Sequence, residues 1–209
     1  AASDVYKRQV LFQMMQYSDI IFGDQNEWEI ASGVPHIPFE ALDENYVIDR
    51  EAYLSYFRKM HRLFPKCKKM VMAVRNQIAS SHHTLSGLLY DTVEDQLYTT
   101  RIYDIQPIVD PMGVGDAFIA AYIHAHQKWG DENQYCLDFS LSASAIKNTI
   151  PGDQNLVSEE EIIRIMRKET AIKKKIGNLI DSMLCDDSQI SEMDNTKNET
   201  GAFDINEFV

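Results

Sequence analysis

Apolar positions follow two different periods along the chain, with predicted strands mostly in the first half and helices after them. The runs "SDIIFGD" (18–24) and "KKMVMAVR" (68–75) are short, apolar and bounded by polar residues, which is typical of buried strands. Between them, "NEWEIASG" and "IDREAYLSYFRKMHRLF" have helical spacing and end at a glycine and a proline. The strand–helix–strand order predicts two parallel strands joined by a right-handed crossover.

The following residues predict a hairpin and then more helices. "LSGLLYD" and "QLYTTRIYD" flank the turn-like "TVED" and predict two antiparallel strands. Helical spacing covers 113–129 and 133–148, and a third helix begins after the capping residue Ser158. We therefore expect an α/β domain in which helices pack in layers on a mostly parallel sheet with one antiparallel hairpin.

Composition narrows the class of protein. A chain of 209 residues with 44% hydrophobic content can bury one sizeable core and still carry a tail. Its net charge of −12 gives no basic surface for nucleic acid or an anionic membrane, and no apolar run is long enough to span a bilayer. Cys67, Cys136 and Cys185 are far apart, as expected in a reducing compartment. We predict a cytoplasmic protein, and the sequence leaves open whether it is a homo-oligomer.

The two ends differ from the middle. Residues 1–9, "AASDVYKRQ", resemble a translated sequencing adapter, so we exclude them as a non-native leader. Residues 10–168 form the predicted domain, and 169–184 extend it as a helix. Residues 185–209 contain seven acidic residues and one lysine, a composition that predicts disorder.

The stretch "VDPMGVGDAF" places glycines and an acid at the start of a predicted helix. Free backbone N–H groups there can bind a phosphate, and glycines at 113 and 115 let it approach closely. Phe118 rules out a dinucleotide-binding G-x-G-x-x-G, and the Gly-Lys-Ser/Thr of a Walker A loop is missing. The alternative is a tight turn in which Asp116 only favours the helix dipole.

This stretch resembles the D-T-x-G-A-G-D-x-F signature of the ribokinase-like, or phosphofructokinase-B, carbohydrate kinases. The matching positions are Asp110, Gly113, Gly115, Asp116, Ala117 and Phe118. The resemblance implies a ribokinase-like three-layer α/β/α fold and an anion hole at Gly113, Val114 and Gly115. It also implies that Asp116 takes the proton from the sugar hydroxyl, with ATP and a small-molecule sugar as substrates.

A second motif, "GDQNEWEI", resembles the family's N-x-x-E. The resemblance implies that Asn26 lies near the nucleotide phosphates and that Glu29 helps to hold Mg²⁺, largely through water. The same spacing also fits a capping box, with Asn26 as N-cap and Glu29 three residues on. Either assignment leaves the pair directly after a predicted strand.

A third stretch, "SASAIKNTIPGDQNLV", is closest to the 2-keto-3-deoxygluconate kinase branch of that family. The resemblance implies that Ser144, Lys147 and Asn148 lie near the adenine and Asp153 near the phosphoryl group. The alternative is a helix end followed by a Pro-Gly turn.

Two departures from the family pattern affect the expected ligands. Arg75 ends the predicted nucleotide strand, where most of the family has glycine and this branch often has arginine. Pro111 and Met112 follow Asp110, which argues against a monovalent cation site there.

The resemblance covers roughly 10–166 and matches only the C-terminal, nucleotide-binding part of such a kinase, because no Gly-Gly motif or sugar-binding half precedes it. It implies an ATP- and Mg²⁺-dependent kinase of a sugar acid, with 2-keto-3-deoxygluconate first among the substrates and with little activity in this chain alone. Two alternatives stay open. One is another sugar kinase of the family, such as a fructokinase, ribokinase or nucleoside kinase, and the other is a non-catalytic nucleotide-binding module.

Overall fold

A six-stranded mixed sheet lies between two layers of helices in the computed structural model, which describes residues 2–37, 47–167 and 203–204. The strands are β1 (Ile20–Gly23), β2 (Lys69–Ala79), β3 (His82–Asp91), β4 (Gln96–Thr99), β5 (Tyr103–Ile105) and β6 (Phe203–Asp204). The helices are α1 (Ala2–Met15), α2 (Gln25–Ser32), α3 (Arg50–Leu63), α4 (Val114–Trp129), α5 (Asn133–Lys147) and residues 159–167, which we name α6.

The strands follow the order β1-β2-β3-β5-β6, and β4 also pairs with β3. β1 and β2 are adjacent and parallel, with Ile20 opposite Lys69, so the predicted strand–helix–strand unit is confirmed. β3 is antiparallel to β2, β4 and β5, whereas β5 and β6 are parallel. Every described strand except β3 therefore runs in one direction, and the expected α/β fold is confirmed as a mixed sheet.

Two features of the sheet differ from the prediction. β2 continues past Arg75 and forms a second hairpin with β3, through a turn at Ser80 and Ser81. The predicted strand "QLYTTRIYD" is two strands, because β4 pairs with the second half of β3 and β5 with the first half. The break falls where the Gly87 N–H donates to Thr100 Oγ1 at 2.8 Å.

Each face of the sheet has its own hydrophobic core, as expected when successive side chains of a strand point to opposite faces. Val71 of β2 contributes to the core under α4, α5 and α6, whereas its neighbours Met70 and Met72 contribute to the core under α2 and α3. Trp28, Tyr56 and Phe57 form an aromatic cluster in the second core. The three layers position α2 and α4 on opposite faces of the sheet.

The ends of the chain are only partly described. α1 includes most of the nine residues that we set aside as a leader, and the origin of that segment stays a prediction. The predicted helical extension at 169–184 and most of the acidic tail lie outside the described residues. At 203–204 the chain pairs with β5, which differs from the expected disorder at these two residues. None of the described helices is both long and apolar enough to cross a membrane.

Candidate active site

The predicted glycine turn begins α4 and requires glycine at its first position. Gly113 is the N-cap residue and has a left-handed backbone with φ +74°. A Cβ atom at this position would lie 2.2 Å from the Asp153 carbonyl oxygen, so no other residue fits without a shift of the backbone. A Cβ at Gly115 would meet nothing within 4 Å. In the part of the chain that the structure describes, no side chain caps α4, so no capping residue there occupies its first N–H groups.

Backbone contacts from two loops hold this turn in place. Asp110 accepts hydrogen bonds from the Met112 N–H at 2.9 Å and the Gly152 N–H at 2.8 Å. These two N–H groups, with Met112 the stronger, lower the pKa of the Asp110 carboxyl. The Asn148 carbonyl oxygen in turn accepts from the Val109 N–H at 2.8 Å. Asp110 therefore joins the two loops beneath the turn.

Two residues expected near the adenine make hydrogen bonds within the protein. Lys147 is fully buried, and its Nζ donates to the Ile150 carbonyl oxygen at 3.0 Å. The Asn148 side chain donates to the Ser144 carbonyl oxygen at 3.0 Å, at the end of α5. These contacts fit a helix end followed by a turn, and the placement of Lys147 and Asn148 near the adenine stays a prediction.

The second wall is the start of α2, and its capping box differs from the expected one. Asp24 is the N-cap: its Oδ1 accepts from the Glu27 N–H at 2.8 Å, and Glu27 Oε2 accepts from the Asp24 N–H at 2.9 Å. The alternative capping box of Asn26 and Glu29 is therefore wrong. The physical reason is that β1 ends at Gly23, so that the helix begins two residues earlier than the Asn26 box requires.

Glu29 contacts the loop after α2. Its Oε2 accepts from the His36 backbone N–H at 3.1 Å and is also hydrogen-bonded to His36 Nδ1. Those bonds from His36, with the backbone N–H first, lower the pKa of the Glu29 carboxyl. Both bonds use Oε2 and Glu29 does not line the pocket described below, so its role in holding a metal stays a prediction.

A pocket of about 370 Å³ lies between the two walls. Asp116 is exposed in the first turn of α4, and Arg75 reaches the pocket from β2. The expected site residues that line this pocket are Asn26, Arg75, Val114, Gly115, Asp116 and Ser144. Those that do not line it are Gly113, Glu29, Asp110, Lys147, Asn148 and Asp153. The starts of α2 and α4 thus meet at one edge of the sheet, which is where ligands bind in open α/β sheets.

Solved structures of carbohydrate kinases are similar to this chain. No family model matches the chain, and no curated protein matches it. A 2-dehydro-3-deoxygluconokinase from Thermotoga maritima is 27% identical and superposes with a TM-score of 0.67, covering 78% of this chain and 46% of that chain. The chain thus resembles the C-terminal part of the ribokinase-like carbohydrate kinases in fold and in sequence. A PfkB family carbohydrate kinase from Listeria grayi, 24% identical with a TM-score of 0.63, has the same fold over 78% of this chain and 46% of its own.

The chain spans less than half the length of these carbohydrate kinases.

The pocket has residues that the sequence analysis missed, namely Asp24, Glu27 and His36. The spacing of Asp24 and Glu27 is itself a capping-box signature and could have been found. His36 carried no sequence signal, because only the return of the loop to α2 brings it to the pocket.

Ribokinase-like kinases imply a divalent metal, and the oxygen donors of the pocket fit one. Asp24 and Glu27 each use one carboxylate oxygen in the capping box, Oδ1 and Oε2, and both residues line the pocket. Within the described ranges no group of three or more His, Cys, Asp or Glu side chains could enclose a metal ion. Mg²⁺ is commonly held by one or two carboxylates together with water and substrate phosphates, which this arrangement allows.

Proposed function

We propose that the protein containing this chain transfers a phosphoryl group from ATP to a hydroxyl group of a sugar acid, and that 2-keto-3-deoxygluconate is the acceptor. The observation that carries this proposal is the uncapped start of α4, which presents Gly115 and Asp116 to a pocket shared with Asn26 and Arg75. The choice of acceptor is supported by the relative from Thermotoga maritima, which is named 2-dehydro-3-deoxygluconokinase.

The start of α4 would bind the transferred phosphate. Its first N–H groups are uncapped and carry the positive end of the helix dipole, which favours an anion. Because Gly115 has no side chain and has open space at its Cβ position, a phosphate can approach this backbone closely. In a loose phosphoryl-transfer transition state, such fixed N–H donors stabilise the charge on the equatorial oxygens.

Asp116 would accept the proton of the attacking hydroxyl. It lies in the first turn of the same helix and lines the pocket, so its carboxylate is next to the proposed phosphate site. A carboxylate positioned there suffices, because this chemistry depends more on the placement of the nucleophile than on a strong base.

The other wall would hold the nucleotide and its metal. Arg75 supplies a fixed positive charge for the phosphates. Ser144 Oγ donates to the Val114 carbonyl oxygen at 3.1 Å and so joins α5 to the start of α4. Asp24 and Glu27 would hold Mg²⁺ directly or through water, and this ion would neutralise phosphate charge when bound. We assign this role to Glu27 rather than Glu29.

The test is a phosphorylation assay on the longest natural protein that contains this sequence. ATP is supplied with 2-keto-3-deoxygluconate, gluconate, fructose, ribose and adenosine, and ADP formation is measured for each acceptor. The proposal predicts the highest kcat/KM for 2-keto-3-deoxygluconate. A preference for fructose, ribose or adenosine would move the assignment to another member of the family. ATP binding without turnover on any acceptor would support a non-catalytic nucleotide-binding module.

A further inference from the structure

The loop that follows α2 returns to the pocket, and short-range contacts fix its path. α2 ends at Gly33, which has a left-handed backbone and donates to the Glu29 carbonyl oxygen at 2.8 Å. Ser32 Oγ then accepts from the Val34 N–H at 3.0 Å. This tight turn brings His36 back to the helix, seven residues after Glu29, where their side chains pair.

The pairing determines which nitrogen of the imidazole remains for another partner. An ionised carboxylate can only accept hydrogen bonds, so Nδ1 of His36 carries the proton and donates to Glu29 Oε2. In residues 2–37, 47–167 and 203–204, no hydrogen bond to His36 Nε2 is found. The side chain is 37% exposed and forms part of the pocket wall. Glu29 therefore fixes the ring through Nδ1 and leaves Nε2 for a ligand.

The charge of the pocket wall indicates what kind of ligand group would meet this nitrogen. Among its described lining residues, Asp24, Glu27 and Asp116 are acidic, whereas Arg75 and His36 are the basic ones. A polyphosphate in this pocket needs cationic N–H donors, and an imidazolium supplies one through Nε2–H while its Nδ1–H stays on a carboxylate. On the α2 wall only His36 offers such a contact within the described residues.

A second pair in the chain provides a comparison. His124 of α4 and Glu159 of α6 are hydrogen-bonded at 2.7 Å, and neither lines the pocket. Exposed pairs of this kind contribute about 0–1 kcal/mol to stability. The pair of Glu29 and His36 differs in that its imidazole faces a cavity with a phosphate-binding helix start on the other side.

We propose that His36 binds a phosphate of the nucleotide through Nε2, and that Glu29 is the positioning residue that orients its ring. The identity of the ligand as a nucleoside phosphate rests on the proposed function. Glu29 then acts on the ligand through His36, although Glu29 itself does not line the pocket.

The experiment measures binding, so it does not depend on turnover. Isothermal titration calorimetry with ATP, ADP and adenosine is carried out on the longest natural protein containing this sequence, with His36→Ala, His36→Gln and Glu29→Gln. The matched controls are His124→Ala and Glu159→Gln. We expect His36→Ala to weaken ATP and ADP binding at least about tenfold and adenosine binding less than about twofold. Glu29→Gln should give a smaller loss with the same ligand preference.

His36→Gln tests the same contact with a side chain that keeps a donor, so it should recover part of the affinity for ATP. Melting temperatures should stay close to wild type for all variants, because both pairs are partly exposed. Wild-type ATP binding that His36→Ala leaves unchanged, or weakens equally for adenosine, would overturn this inference alone. Absence of nucleotide binding in the wild type would overturn the proposed function as well.

Discussion

Two helices begin at the pocket, and they differ in whether a side chain caps their first N–H groups. α2 satisfies its own start with the capping box of Asp24 and Glu27. α4 begins at Gly113 and has no side-chain cap, although a good cap typically stabilises a helix by about 1 kcal/mol. The start of α4 therefore lacks the stabilisation of a side-chain cap but keeps N–H donors that a ligand could use. The start of α2 is stabilised by its own residues.

The contacts that hold the two helix starts also differ in how far apart their residues lie in the sequence. The cap of α2 comes from residues three apart in sequence. The turn before α4 is held by Asp110 and Asn148, which connect it to a loop about forty residues away. We therefore expect changes near α4 to affect fold and ligand binding together, and changes near α2 to have smaller and more local effects.

The largest effect is expected at Gly113. Gly113→Ala places a Cβ 2.2 Å from the Asp153 carbonyl oxygen at φ +74°, so we expect the free energy of unfolding to fall by at least about 2 kcal/mol. Gly115→Ala is the matched control, because its Cβ has open space and lies in a helix. It should keep or slightly raise stability while weakening ATP binding. Urea unfolding and calorimetry on both variants separate the two outcomes, and equal stability losses would contradict the comparison.

The next effect distinguishes the two glutamates of α2. Glu27→Gln keeps an acceptor for the Asp24 N–H, so stability should change little, whereas the Mg²⁺ concentration for half-maximal activity should rise about tenfold. Glu29→Gln should leave that concentration within about twofold of wild type. The measurement is activity titrated against Mg²⁺. A larger Mg²⁺ effect from Glu29→Gln would restore the assignment that the sequence suggested.

A smaller effect is expected from the cap of α2. Asp24→Ala removes the acceptor for the Glu27 N–H and should cost about 1 kcal/mol of stability. Asp24→Asn keeps an acceptor and should stay near wild type. Denaturant midpoints give the values. A loss as large as that of Gly113→Ala would mean that the support of α2 is not local.

A further effect is a dependence of stability on pH at Asp110. Hydrogen bonds from the Met112 and Gly152 N–H groups lower its pKa in the folded protein below the usual 3.8. The ionised group therefore contributes stability above that usual value, and the contribution is lost as the pH falls through the lowered pKa. Asp110→Asn should be less stable than wild type at neutral pH, and the difference should shrink in acid. Denaturant midpoints between about pH 3 and pH 7 test this, and a constant difference would contradict it.

Features that depend on residues close together in the sequence could be predicted, whereas features that depend on distant residues could not. The strand–helix–strand unit, the glycine turn and the helix end at Asn148 follow from local patterns, and the structure has them. The β2–β3 hairpin was missed because Ser80 and Ser81 lack the Gly, Asn or Asp that mark such turns. The burial of Lys147 was also missed, because only the packed loop after α5 supplies its acceptor.

The wrong capping box has a different cause. Asp24 with Glu27 and Asn26 with Glu29 have the same spacing and the same residue classes. The end of β1 at Gly23 alone decides between them, and strand ends are the least predictable part of a strand. This shift of two residues changes which glutamate faces the pocket.

The central claim is that Asp116 acts as the catalytic base at the uncapped start of α4. Asp116→Asn keeps the size of the side chain and the open N–H groups, so ATP affinity and melting temperature should stay near wild type. We expect kcat of the longest natural protein with this sequence to fall roughly 100-fold or more. Asp153→Asn, an acid near the same turn but outside the pocket wall, should keep nearly normal turnover. Turnover of Asp116→Asn within a few-fold of wild type would contradict the account.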